Sequence, residues 1–172
     1  MGGFSCVFES YIKYNFHVGL TVWALAHITA LDFGLNLHFI HQLIFFMAPF
    51  LGYNFIKYHL LYWNITINKS FKINLLLGFF LLCILTSGGV IFFLPLSSQL
   101  LFFFTLLLGL LYCLPLPGFK INFRGFKGVK IHLVALSWVL MTVFLPLTLE
   151  GVSLTEFSLM YGFQRYLFVI AA

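Results

Sequence analysis

The run at residues 39–62, FIHQLIFFMAPFLGYNFIKYHLLY, is almost entirely apolar until its last third, where polar side chains recur. These 24 residues are enough for a helix that crosses a bilayer, since a span needs about 20. A helix would gather four of the polar side chains within about 140° of arc. We call these four the polar stripe: Asn54, Lys57, Tyr58 and Tyr62. Because polar groups are expensive inside a membrane, the stripe requires a partner.

The composition of the chain predicts a membrane protein. Of its 172 residues, 62% are hydrophobic and only 8% are charged, whereas soluble domains carry about 25% charged residues. A soluble fold of this size would leave much of that apolar surface exposed to water. The 3 cysteines form no C-x-x-C pair and no zinc-site spacing, so no metal site is predicted from them. We therefore expect the lipid bilayer, and not nucleic acid, as the main partner.

The pattern of apolar runs predicts an all-α fold, a polytopic transmembrane helix bundle that forms a single domain over residues 1–172. Five full spans and a partial sixth are expected at residues 15–35, 39–62, 73–94, 99–116, 129–149 and 157–172. Residues 1–14 are expected to lie along the membrane interface. The last run has 16 residues, which is short for a crossing. We therefore expect the natural sequence to continue beyond Ala172.

The basic residues predict the orientation of the spans, because cytoplasmic connections carry an excess of Lys and Arg. Lys13 precedes the first span, and the basic loop at 117–130 holds four cations. The N-terminus, the second connection and this loop are therefore expected in the cytoplasm, as in a bacterial inner-membrane protein. The connections expected on the outside hold the acidic residues Asp32, Glu150 and Glu156.

Two further groups of residues are candidates for ligand binding. In the basic loop, Lys120 and Arg124 are of the residue types that bind diphosphate oxygens. Arg165 lies within the sixth apolar run, where a charged residue is expected to face the bundle interior or a wet cavity.

Simpler explanations of the same residues stay open. Lys57 can extend to the interface while the tyrosines of the stripe sit in an aromatic belt. Attraction to anionic headgroups would also explain the loop. His17 and His132 could face each other as haem ligands, or be interfacial histidines.

Two motifs resemble those of the UbiA-type membrane prenyltransferases. NFIKYHLLY at 54–62 stands where that family has N-D-x-x-D-x-x-x-D, at the cytoplasmic end of its second helix. Asn54 is kept, and the three aspartates are replaced by Phe55, Tyr58 and Tyr62. After the fourth helix, LYCLPLPGFKINFRGFKGVKIHLVALSW at 111–138 is similar to the family's loop. Its matching positions are Tyr112, Pro115, Pro117, Lys120 and Gly128.

The resemblance implies a helical bundle that transfers a prenyl group from an isoprenoid diphosphate to an aromatic or lipid acceptor. Magnesium is expected for that family, but its carboxylate ligands are absent here, so no cofactor is predicted for the chain as given. The family's second acidic motif would lie beyond the last residue. The diphosphate would then be held by Lys57, Lys120 and Arg124. Four residues would line the cavity: Asn54, Tyr58, Tyr112 and Arg165.

Two other functions remain open. The chain could be a non-catalytic subunit of a membrane complex whose polar stripes pack against partner helices. It could also be a haem- or quinone-binding subunit. No catalytic residue is assigned under any of the three.

Overall fold

The computed structural model describes residues 8–9, 11–64, 81, 84–85, 88–113 and 128–171. Regular structure in these residues is entirely helical, which confirms the predicted all-α class. Five helices of more than ten residues form in the described part of the chain. They are α1 (Phe16–Asp32), α2 (Phe39–Asn64), α3 (Leu96–Cys113), α4 (Val129–Leu149) and α5 (Glu156–Ala171).

The five helices follow the predicted apolar runs. The predicted third run at 73–94 lies mostly outside the described residues, although residues 88–91 of it are helical. Among the described residues, α4 alone is long and apolar enough to cross a membrane. The apolar parts of two others are shorter, Phe39–Phe55 in α2 and Leu96–Tyr112 in α3. The five-span arrangement therefore stays a prediction.

Two tight turns give the helices alternating directions. Residues 33–38 join α1 to α2, and residues 150–155 join α4 to α5. Gly34 and Gly151 have φ values of 64° and 67°, a left-handed conformation that glycine adopts without steric cost. Each turn follows directly after a helix end, so each pair forms an antiparallel hairpin.

Helix α4 lies at the centre of the bundle, where it packs against α1, α3 and α5. Helix α1 packs in turn along α2. The main core cluster joins α1, α2, the segment around 88–94 and α4. Its buried members are Val22, Ala26, Ile44, Phe45, Ile91, Leu94, Met141, Leu145 and Leu149.

Glycine permits the closest helix contact in the α1–α2 hairpin. A Cβ atom at Gly19 would lie 2.8 Å from the backbone oxygen of Phe46. Gly162 plays the same part between α5 and α4, where a Cβ atom would lie 2.9 Å from the ring of Phe144. The backbone oxygen of Phe46 cannot move aside for a methyl group, so the α1–α2 contact depends on the absence of a side chain, whereas the Phe144 ring can turn away.

Helix α4 contains a π-helical segment at Leu140–Phe144. The Leu145 N–H donates to the Leu140 oxygen, five residues back. The next residue is Pro146, which has no N–H and whose ring would crowd the carbonyl four residues earlier in a regular α-helix. The wider π turn accommodates this proline without ending the helix.

The outer faces of the helices are apolar. Helix α3 exposes Leu100, Phe103, Phe104, Leu106 and Leu107. Helix α5 exposes Phe157, Leu159, Met160, Phe163, Leu167 and Phe168. Patches of this extent are rare on soluble monomers.

Candidate functional site

Three described cations lie at one end of the bundle, which we call the basic end: Lys13, Lys57 and Lys130. Helices α1 and α4 begin there, while α2 and α3 end there. At the opposite end, the acidic end, lie Asp32, Glu150 and Glu156. Contacts across the acidic end join Asp32 to Tyr161 of α5 and Glu150 to His41 of α2. Charges of opposite sign are therefore separated along the bundle axis.

The polar stripe meets the chain's own N-terminal turn. The Asn54 side chain is 1% exposed. Its Nδ2 donates to the backbone oxygens of Tyr14 at 2.7 Å and Phe50 at 2.8 Å. Its Oδ1 accepts from Asn15 Nδ2 at 3.2 Å. All the polar atoms of this amide thus have partners inside the protein, which makes Asn54 an anchor for the turn rather than a lining residue of a cavity.

Lys57 extends the same attachment by one helical turn. Its Nζ donates to the backbone oxygen of Lys13 at 2.9 Å, although the side chain is exposed. The two remaining residues of the stripe, Tyr58 and Tyr62, belong to the part of α2 whose side chains lie outside the description. The stripe therefore holds residues 13–15 against α2, at least through Asn54 and Lys57.

Arg165 lies far from the polar stripe. Its Nη2 donates to the Tyr161 hydroxyl at 2.9 Å, and the guanidinium lies 5.5 Å from the centre of that ring. The Tyr161 hydroxyl donates in turn to Asp32 Oδ2 at 2.6 Å. Arg165 is thereby linked to the acidic end, and the structure does not gather Asn54, Tyr112 and Arg165 around one cavity.

A cavity of about 210 Å³ lies between α2, α3 and α4. Tyr112 lines it, whereas Asn54, Lys57 and Arg165 do not. Its wall is almost entirely apolar. Its principal aromatic lining residues are Tyr53, Phe55, Phe102, Tyr112 and Trp138.

One hydrogen bond between helices crosses the cavity wall. Trp138 Nε1 on α4 donates to the Tyr53 hydroxyl on α2 at 3.3 Å. Sequence reasoning missed both residues. Tyr53 stands next to the stripe, and Trp138 is the last residue of the segment that resembles the family loop. Nothing in the sequence indicates that residues 85 positions apart would pair.

The other candidate ligands have separate surroundings. Lys120 and Arg124 lie outside the described residues. The His17 ring lies 5.9 Å from the Tyr11 ring, and His132 Nδ1 lies 2.5 Å from the Tyr166 hydroxyl. Within the described ranges, no three His, Cys, Asp or Glu side chains come together in a possible metal site.

Comparison of the chain with protein-family models, curated proteins and solved structures found no match. The resemblance to UbiA-type prenyltransferases therefore rests on the two sequence motifs, and the function that it implies is a proposal.

Proposed function

We propose that the chain is a membrane-embedded helical bundle, similar to the UbiA-type prenyltransferases, which binds an isoprenoid lipid diphosphate at its basic end. The separation of charge supports this most directly, because three of the four described cations lie at one end and three of the four acids lie at the other. Between the ends, α3 and α5 expose apolar side chains that suit a hydrocarbon environment. One end of such a bundle can bind an anionic headgroup, and its apolar sides can contact lipid chains.

The proposed headgroup site uses cations without a protein-bound metal. Magnesium binding normally takes one or two carboxylates together with substrate phosphates. Asp32, Glu150 and Glu156 lie at the wrong end to supply them, and Glu9 is the one acid that precedes Lys13. Charge on the diphosphate would then be balanced by Lys57, Lys120 and Arg124.

The alternative of a non-catalytic subunit loses the support of two residues of the polar stripe, Asn54 and Lys57. That hypothesis assigned the polar stripe to a partner helix. In the structure, Asn54 and Lys57 bond instead to the chain's own residues 13–15. We therefore favour lipid binding.

The proposal is tested by measuring the affinity of purified protein in lipid nanodiscs for farnesyl diphosphate, with and without Mg²⁺. Replacing Lys120 and Arg124 together by alanine should weaken binding about tenfold or more, since each charge-assisted hydrogen bond contributes roughly 1.5–3 kcal/mol. Binding should persist when Mg²⁺ is chelated.

The matched control removes two other cations from the predicted cytoplasmic side, with Lys69→Ala and Lys72→Ala. If that pair weakens binding as much as the loop pair, general surface charge is responsible and the assigned headgroup site is wrong. The absence of any binding by the unaltered protein would refute the proposed function itself.

A further inference from the structure

The hydroxyl group of Tyr53, in the wall of the cavity between α2, α3 and α4, has a proton that is available to a ligand. The Tyr53 oxygen accepts the Trp138 N–H, but among the described residues its own proton has no acceptor. The wall has three other hydroxyls. That of Tyr112 belongs to a residue with a further interaction within the chain, and the other two are occupied by their own helices. Thr105 donates to the Leu101 oxygen at 2.9 Å, and Ser137 donates to the Leu133 oxygen at 2.8 Å.

The position of this donor favours a neutral acceptor. Trp138 is nine residues into α4, about 13 Å from the helix start at the basic end. A charged headgroup at that depth in a membrane would carry a large desolvation cost. A neutral oxygen loses much less on transfer, and a hydrogen bond from Tyr53 would compensate that loss.

The size and wall of the cavity define the rest of the ligand. A dry apolar cavity of about 150 Å³ accommodates benzene, so 210 Å³ provides room for roughly eight carbon atoms, and the open side of the cavity lets a longer chain extend beyond it. The aromatic rings of Phe55, Phe102 and Tyr112 make much of this surface apolar. An apolar group of this size with one acceptor oxygen would fill the volume and accept the hydrogen bond from Tyr53.

We infer that the cavity binds the carbonyl group of a neutral lipid, with the Tyr53 hydroxyl donating to the carbonyl oxygen and Trp138 holding that hydroxyl in place. The inference rests on the proposed function in that it treats the bundle as a membrane-embedded lipid-binding protein. It assigns the cavity to a neutral ligand, distinct from the diphosphate at the basic end. A ketone and an acyl ester present the same acceptor, and the test below separates them.

The experiment compares three probes of similar size in nanodiscs: 2-decanone, methyl nonanoate and 2-methyldecane, which lacks the oxygen. Empty nanodiscs correct for partition into lipid. Tyr53→Phe keeps the ring and removes the hydroxyl. It should weaken the binding of the preferred carbonyl probe about tenfold, the usual effect of losing one hydrogen bond, and leave the binding of 2-methyldecane unchanged. The unchanged hydrocarbon affinity also shows that the variant keeps its cavity.

Infrared difference spectra of the ¹²C- and ¹³C-carbonyl forms of the tighter-binding probe give a second readout. Bound to the unaltered protein, the carbonyl band should move to lower wavenumber than in empty nanodiscs, and Tyr53→Phe should abolish that shift. Trp138→Phe removes only the positioning bond, so the shifted band should persist with a smaller loss of affinity. The tighter binder of the two carbonyl probes identifies a ketone-type or an ester-type ligand.

The inference is overturned if the carbonyl probes bind no more tightly than 2-methyldecane, or if Tyr53→Phe retains the shifted band. A greater loss in Trp138→Phe than in Tyr53→Phe would identify the indole as the donor and overturn it as well. None of these measurements contains a diphosphate. A negative result for the proposed headgroup site therefore does not change how these measurements are interpreted. A negative result for the cavity likewise does not change the interpretation of the diphosphate-binding experiment.

Discussion

The side-chain amide of Asn54 donates to the backbone oxygen of Tyr14 across 2.7 Å, and so joins α2 to a turn 40 residues earlier in the chain. The same side chain accepts a hydrogen bond from Asn15, whose φ of 57° places it in the left-handed region. Asn54 thus stabilises an unusual backbone conformation at the start of α1. Its position in the motif that resembles UbiA-type enzymes coincides here with a structural role.

Replacing Asn54 by leucine should lower the free energy of unfolding by about 1–3 kcal/mol, because a partly buried carbonyl and a partly buried amide lose their partner. Unfolding in a detergent titration measures this effect. Asn36→Ala, in the exposed turn between α1 and α2, is the matched control and should change stability by less than about 0.5 kcal/mol. Equal losses in the two variants would rule out an anchoring role for Asn54.

Gly19→Ala should separate α1 from α2. The added methyl group would lie 2.8 Å from the Phe46 backbone oxygen, which cannot turn away as a flexible side chain can. We expect a loss of about 1–3 kcal/mol from overpacking. Gly52→Ala is the control, since a Cβ atom there meets nothing within 4 Å. It should be neutral or slightly stabilising, and a loss there as large as in Gly19→Ala would point to general helix effects.

The chain of contacts from Arg165 through Tyr161 to Asp32 should behave as one unit. Tyr161→Phe removes the shared hydroxyl and should cost about 1 kcal/mol in stability, a modest effect because the site is partly exposed. In an Asp32→Ala background the same change should have a smaller effect, and a double-mutant cycle measures the difference. Glu156→Gln is the control, because this exposed carboxylate lies outside the chain of contacts. In a Glu156→Gln background, Tyr161→Phe should cost as much stability as it does in the unaltered protein. Strict additivity with Asp32→Ala would show that the contacts are energetically independent.

Filling the cavity should abolish its capacity for apolar ligands of any kind. Gly109 lines the cavity, and a Cβ atom there meets nothing within 4 Å, so Gly109→Leu can direct its side chain into the space. The variant should lose binding of both 2-decanone and 2-methyldecane by tenfold or more. Gly89→Leu, an equally unhindered site outside the cavity lining, should bind both normally. Retained binding in Gly109→Leu would place the ligands elsewhere.

The two ends of the bundle should be accessible from opposite sides of the membrane. In a chain with Cys6, Cys83 and Cys113 replaced by serine, a cysteine at position 36 should react with an impermeant maleimide added to intact cells. A cysteine at position 130 should react only after the cells are opened. Reaction of both before opening would contradict the membrane-embedded arrangement.

The helices could be predicted from sequence because long apolar runs specify them locally. The predicted run at 129–149 has the same limits as α4, and the run at 39–62 lies within α2. The need of Asn54 for a partner was also predictable, since an amide deep in an apolar helix cannot stay unbonded. These inferences use only neighbouring residues and the helical period.

The partners themselves could not be predicted, because they depend on how distant helices pack. The sequence predicts Arg165 near the polar stripe. In the structure it is linked through Tyr161 to Asp32, where α5 contacts the end of α1. Tyr161 and Asp32 are 129 positions apart in the sequence. The cavity depends likewise on the distance between α2 and α3. Hydropathy gives the length of each helix but neither its rotation nor its neighbours.

The π segment before Pro146 has a consequence for the outer third of α4. It adds one residue to a turn, which sets every later side chain back by about 100° around the axis relative to an uninterrupted α-helix. With that offset, Thr148 faces α3 and its Oγ1 accepts a bond of 3.1 Å from Ser98. The proline thereby determines which side of α4 faces the neighbouring helix, and this effect extends to the residues that follow the π segment.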